Sequence, residues 1–130
     1  MTNSFRVHQK LPGLNQYTSV NRRNKYEGAR LKKDTETAIC WAIKRARVAG
    51  ECRQVHGPVR IRFTWYEATR RRDLDNIFSA KKFVLDAMQR MWIIYGDGQK
   101  YVTGVEDVFV LSKNKEDEGV YVEIIETGND

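Results

Sequence analysis

Val59-Arg60-Ile61-Arg62-Phe63-Thr64-Trp65-Tyr66 alternates along its length, with Val59, Ile61, Phe63 and Trp65 on one side and Arg60, Arg62 and Thr64 on the other. A period of two, filled with β-branched and aromatic residues, marks a strand with one buried face. Its polar face is cationic. The short connector Glu67-Ala68-Thr69 carries this strand into Arg70-Arg71-Arg72-Asp73-Leu74-Asp75-Asn76. Like charges packed this densely oppose folding unless something compensates them. A phosphodiester supplies the anion that the arginines lack, and a divalent cation supplies what the aspartates lack.

Upstream, Phe5 and Val7 alternate with polar residues over Ser4 to Lys10, which suggests a short first strand, broken by Leu11-Pro12-Gly13. From Tyr17 to Arg47, Tyr26, Ala29, Ile39, Ala42, Ile43 and Ala46 recur at helical spacing under a coat of Arg and Lys. Within this helix Ala38, Trp41, Ala42 and Arg45 form a mixed seam beside Ile39, Ile43 and Ala46. Gly28 is a candidate interruption, and Gly50 a stop that follows Arg45 and Arg47, whose charges suit a helix C-terminus.

Downstream, Asp75 or Asn76 caps a helix expected to run to Trp92, with Ile77, Ala80, Phe83, Val84, Ala87, Met88 and Met91 on its buried face. Tyr95-Gly96-Asp97-Gly98 reads as a turn. Tyr101 to Leu111 is strand-like, and Val120 to Ile125 is expected to pair with it as an antiparallel hairpin. The order β-α-β-α-β-β predicts a single α+β domain over residues 1–130, a mixed sheet of about four strands with two main helices.

The charge is polarised. Residues 1–72 hold 17 Lys and Arg against 5 Asp and Glu, or +12, whereas residues 73–130 hold 6 against 12, or −6. Such a first half suits a polyanion, the bland alternative being a solvated basic surface. Cys40 and Cys52 are too few for a disulfide framework; Cys40, between Ile39 and Trp41, reads as a buried thiol. No apolar run approaches the ~20 residues of a membrane span, and the polar N-terminus lacks the apolar core of a signal peptide. The expected setting is cytoplasmic and reducing.

At a strand end, residues two apart project to one side, so Asp73 and Asp75 can face one cation. All-oxygen anionic donors select Mg²⁺ or Mn²⁺ over zinc. His8 and His56 lie in dissimilar contexts and read as incidental. Asp97 is the best third carboxylate, provided that residues 97–101 feed a strand beside 59–66 and so return the chain after the helix. Each of these residues has a plain structural alternative: Asp75 a cap, Asp73 an arginine partner, Asp97 a turn former, Arg70 to Arg72 a solvated run. Their adjacency favours chemistry. Trp65, Tyr66 and Trp92 could stack on exposed bases, but core positions are the commoner use of such aromatics.

Arg72-Asp73-Leu74-Asp75-Asn76, then Asp86-Ala87 on the following helix, then Asp97 before Gly98-Gln99, resembles the RusA family of Holliday-junction resolvases, small dimeric endonucleases of bacteria and their phages. Pro12 and Asn15-Gln16-Tyr17 are similar to a segment near the family's N-terminus, and the likeness spans nearly the whole chain. Met88 stands where the family's pattern has Leu. The resemblance implies a Mg²⁺-dependent endodeoxyribonuclease that resolves four-way DNA in recombination and repair, with Mn²⁺ an alternative ion. Asp73, Asp75 and Asp97 would bind the metal, which activates a water for attack on the scissile phosphate and stabilises the leaving oxygen. A family lysine on the next helix corresponds to Lys82 or Lys81, since the position four after Asp75 is Ser79. Arg70, Arg71, Arg72, Asn76, Asn15, Tyr17, Arg60 and Arg62 are the expected DNA contacts. The family acts as a homodimer that nicks two strands symmetrically. The alternative is a basic module that holds DNA without cutting it, and a junction is not distinguished from a flap or fork.

Overall fold

The computed structural model describes residues 2–127. The elements are β1 (Asn3–Val7), α1 (Leu14–Arg23), α2 (Lys25–Val48), β2 (Val59–Glu67), α3 (Leu74–Phe78), α4 (Lys81–Arg90), β3 (Val102–Leu111) and β4 (Gly119–Glu126), with a 3-10 turn over Lys115–Asp117 before β4. They form the α+β arrangement expected, with one mixed four-stranded sheet in the order β1-β4-β2-β3.

β2 carries the core. Val59, Ile61, Phe63, Trp65 and Glu67 are buried in alternation, while Arg60 is exposed and Arg62, Thr64 and Tyr66 are half-buried. Against the buried face pack Ile39, Ile43 and Ala46 of α2 and Val84, Ala87 and Met88 of α4, all in one cluster of buried side chains. Burying a Leu- or Ile-sized side chain is worth about 1.5–3 kcal/mol, so this cluster is the main stabilising term.

The expected hairpin between the last two strands does not form. β4 pairs antiparallel with both β1 and β2, and β3 pairs parallel with β2 on its far side. The intervening chain is held at the end of β2 instead. Ser112 donates its amide to the Glu67 carbonyl at 2.9 Å, and the Glu118 carboxylate accepts from the Ala68 amide at 2.9 Å.

Both long helices expected from periodicity are split. The break in the first is Asn24 rather than Gly28. Asn24 is extended (φ −159°, ψ 116°), and its side chain accepts from the Tyr26 and Glu27 amides, capping α2. Gly28 lies within α2 at its crossing with α1, where a Cβ would come within 2.3 Å of Asn21 Oδ1. The second helix breaks at Ser79-Ala80, and its first half is capped at Asp73, ahead of the expected Asp75 or Asn76. It ends at Arg90, with Trp92 in a left-handed turn (φ 57°).

Three apolar expectations also change. Trp41 and Trp92 are exposed, Trp65 alone of the three tryptophans is buried, and Cys52 rather than Cys40 is the buried thiol. No helix among the described residues is long and apolar enough to cross a membrane.

Candidate functional site

The arginine triplet divides at the end of β2. Alternation places Glu67 on the buried face, and it is 3% exposed. Arg72 neutralises it with a two-pronged bond, Nη2 to Oε2 at 2.7 Å and Nε to Oε1 at 3.0 Å, and also donates to the Leu11 carbonyl at 3.1 Å. Arg72 is therefore a clamp that fixes the loop just before Asp73. Arg70 and Arg71 are exposed, and among the described residues neither forms a salt bridge. They are the two members of the triplet free to meet a phosphate.

Beyond the clamp, Asp73 and Asp75 open α3. Asp73 takes the cap position with no side-chain capping bond, and its carbonyl accepts from the Ile77 amide at 3.1 Å. Asp75 lies in the first turn, where the Asn76 amide donates to its Oδ1 at 3.1 Å. Both are exposed and, among the described residues, unpaired with any cation.

The same short helix also seats the start of α1, whose cations, Arg22 and Arg23, lie in its last turn. Asn76 Oδ1 accepts from the Asn15 amide at 3.0 Å, and Ser79 Oγ accepts from the Leu14 amide at 2.9 Å while donating to the Asn76 carbonyl at 2.6 Å. α3 side chains thus satisfy two of the orphan amides at the start of α1. Gly13 permits the contact, since a Cβ there would sit 2.5 Å from Asn76 Oδ1. Tyr17 packs edge-on against Phe83 at 5.8 Å. Asn76 and Tyr17, expected at the DNA, take part in docking α1. The outer face of α1 presents Asn15, Thr18, Ser19, Arg22 and Arg23 around an open concavity of about 620 Å³.

The chain does return after α4, as the third carboxylate required. The Tyr101 carbonyl accepts from the Val59 amide at 2.8 Å, and β3 then runs beside β2. The return brings Asp97 to α4 rather than α3. Lys82 Nζ donates to Asp97 Oδ2 at 2.9 Å and lies 3.1 Å from Asp86 Oδ1. The Asp97 bond, then Asp86, holds the lysine above its ordinary pKa, and the Lys82 ammonium holds the Asp97 carboxyl below the usual aspartate range. Lys82, not Lys81, therefore faces Asp97. Among the described residues no three His, Cys, Asp or Glu side chains are grouped to share a metal ion.

Lys81 turns to the other side and pairs with Asp107 on β3, whose Oδ1 accepts from Trp65 Nε1 at 2.9 Å. Asp107 and Glu67 were not singled out from the sequence, although each had a signal. Glu67 extends the buried register of β2, and a buried indole N–H calls for an acceptor. Arg62 is engaged on the open sheet face by Glu106 at 3.0 Å and Glu123 at 3.9 Å. Arg60 is exposed beside Gly104, away from the helices.

No protein-family model matches the chain, and no curated protein matches it. The donor chemistry at Asp73 and Asp75 fits a hard divalent cation: two exposed carboxylates, oxygen donors only, with no competing ammonium or guanidinium bonded to them. Asp97 is occupied by Lys82 and does not complete that pair as it stands.

Proposed function

We propose that the chain is a divalent-metal-dependent endonuclease of branched DNA, of the RusA kind that its Arg72-Asp73-Leu74-Asp75-Asn76 motif resembles. The observation that carries this reading is the docking of α1 on α3. The Leu14 and Asn15 amides donate to Ser79 and Asn76, which seats the start of an exposed helix beside two unneutralised aspartates, with Arg22 and Arg23 in the last turn of that helix. Arg70 and Arg71, exposed and just ahead of the aspartates, place cations that suit phosphate beside carboxylates that suit a divalent cation.

Asp73 and Asp75 would hold Mg²⁺ or Mn²⁺, which when bound supplies Lewis acidity at the scissile phosphate. Arg70, Arg71 and the α1 cations hold the flanking backbone. Lys82, kept protonated by Asp97 and Asp86, offers a fixed positive charge beside the reacting group. Arg72, Asn76 and Ser79 act by positioning. Symmetric cutting of two strands would need two such sites, hence a homodimer.

The test is cleavage of a synthetic four-way junction against linear duplex, with and without Mg²⁺. Asp75→Asn and Asp73→Asn should abolish cutting while junction binding persists or tightens, because carboxylate–phosphate repulsion is relieved. Wild-type cutting rates by either variant would refute the assignment. Salt-sensitive binding with no cleavage by the intact chain would favour the binding-module alternative.

A further inference from the structure

The C-terminal ends of α2 and α4 enclose a groove of about 490 Å³ whose floor includes Trp41, Val48 and Met91 and whose rim is formed by Lys44, Arg47 and Arg90. It lies at the opposite end of α4 from Lys82, since eight residues of helix span ~12 Å, and the chemistry proposed above makes no use of it. Trp41 is 55% exposed and Val48 83%. Solvated apolar side chains of this size side by side are costly to leave open and mark interaction surfaces. The volume falls within the about 300–1,000 Å³ of pockets that enclose ligands.

The rim determines what can enter. Lys44 Nζ stands 5.1 Å above the Trp41 ring, and Arg47 Nη2 donates to the Met91 carbonyl at 3.0 Å, which fixes that guanidinium at the lip. No carboxylate is among the residues lining the groove, although Glu36 lies one turn before Cys40 on α2. An isologous contact between two copies would set cation against cation. Nucleic acid would answer the charge but would leave Val48 and Met91 facing phosphate and sugar.

We propose that this groove docks a short acidic segment of a partner protein that carries one or two bulky apolar side chains. The apolar anchors fill the floor over Trp41 and Met91, and the flanking carboxylates meet Lys44, Arg47 and Arg90. Met91 lends the floor adaptability, as flexible thioethers do in peptide-binding grooves.

The probe is a fluorescein-labelled peptide of alternating Asp with Leu and Phe, followed by anisotropy and compared with its counterpart bearing Lys for Asp. The acidic peptide should bind saturably and the basic one should not. Trp41→Ala, Lys44→Glu and Arg90→Glu should each weaken binding by about tenfold or more, ~1.4 kcal/mol, with thermal melts unchanged because all three side chains are exposed. Equal binding of both peptides, absence of saturation, or unaltered affinity of the variants would overturn the proposal. So would a loss of DNA affinity in Lys44→Glu and Arg90→Glu without peptide binding by the intact chain, which would give the groove to nucleic acid. Conversion of a sedimenting dimer to monomer by Trp41→Ala would give it to a second copy, and the proposal would again fail.

Discussion

Arg72→Ala removes the cation that neutralises Glu67 while leaving the carboxylate in place. The Glu67 side chain is 5% exposed and that of Arg72 18%. Breaking a buried pair from one side costs about 3–5 kcal/mol. Lys10 Nζ, 4.0 Å from Glu67 Oε1, and the partial exposure of the guanidinium soften this, so ~2–3 kcal/mol is expected. For 130 residues, an unfolding entropy of about 2.1 cal/mol/K per residue gives ~0.27 kcal/mol/K, and Tm should fall by ~7–11 °C. Arg71→Ala, one position earlier and exposed, should shift Tm by no more than a degree or two. It should instead lower DNA affinity and reduce the salt slope by ~1. Replacing both partners, Glu67→Leu with Arg72→Met, should recover much of the loss because no charge is left stranded. Calorimetry of the variants at one pH and salt concentration measures the difference. If Arg72→Ala melts within ~2 °C of the parent, or no lower than Arg71→Ala, the clamp does not stabilise the fold as the burial argument requires.

Asn76→Ala, or Ser79→Ala, removes an acceptor from the first amides of α1 and should cost about 1 kcal/mol, read as faster amide exchange at Leu14 and Asn15 with β2 unaffected; unchanged exchange there would refute the docking role. Asp97 should titrate below the ordinary aspartate value, so its contribution to stability is present above ~3.9 and lost as the pH falls through its folded value. Carbon NMR of Asp97 checks this, and Lys82→Gln should return the midpoint toward the ordinary value. Gly28→Ala places a methyl 2.3 Å from Asn21 Oδ1 and 2.8 Å from its Cα, and should destabilise by about 1–3 kcal/mol in denaturant melts. Cys52, its thiol pushed up to about 11 by burial against the pull of Arg47 and Arg53, should resist thiol reagents in the folded chain; labelling as fast as Cys40 would contradict that burial.

β2 was legible because its period of two is unbroken over eight residues and no other local structure shares it. The same register also held Glu67, yet a carboxylate at a strand end reads locally as a connector, and only the position of Arg72 shows it buried. The helix break at Asn24 hid in a run of polar and basic residues where apolar spacing carries no signal. The strand beside 59–66 forms as expected, but the last two strands flank β2 instead of pairing as sequence neighbours usually do, and the chain between them is tied to the end of β2 by Glu118 on the Ala68 amide. At the candidate site, the spacing of Asp73 and Asp75 suggests a shared side, and the structure places both, exposed, at the start of α3. The division of the arginines into one clamp and two free cations was not legible, since it depends on which guanidinium meets a carboxylate buried by β2. The choice between Lys81 and Lys82 likewise waited on where the turn after α4 delivers Asp97, which no local pattern encodes.

The bonds that seat α1 join residues 61 and 65 positions apart, and α1 itself contributes no buried residue. Tyr17 packs against the core and α1 crosses the adjacent α2, but with no fully buried side chain its apolar return is smaller than that of the sheet or of α2. During folding, α1 should settle after the sheet has formed, and in the native chain it should detach before anything else of its length opens. On the function proposed above, fraying of α1 would release Asn76 and Ser79, beside Asp75, at a cost well below that of unfolding the protein. A nuclease built this way would become inactive on gentle warming while its sheet remained intact.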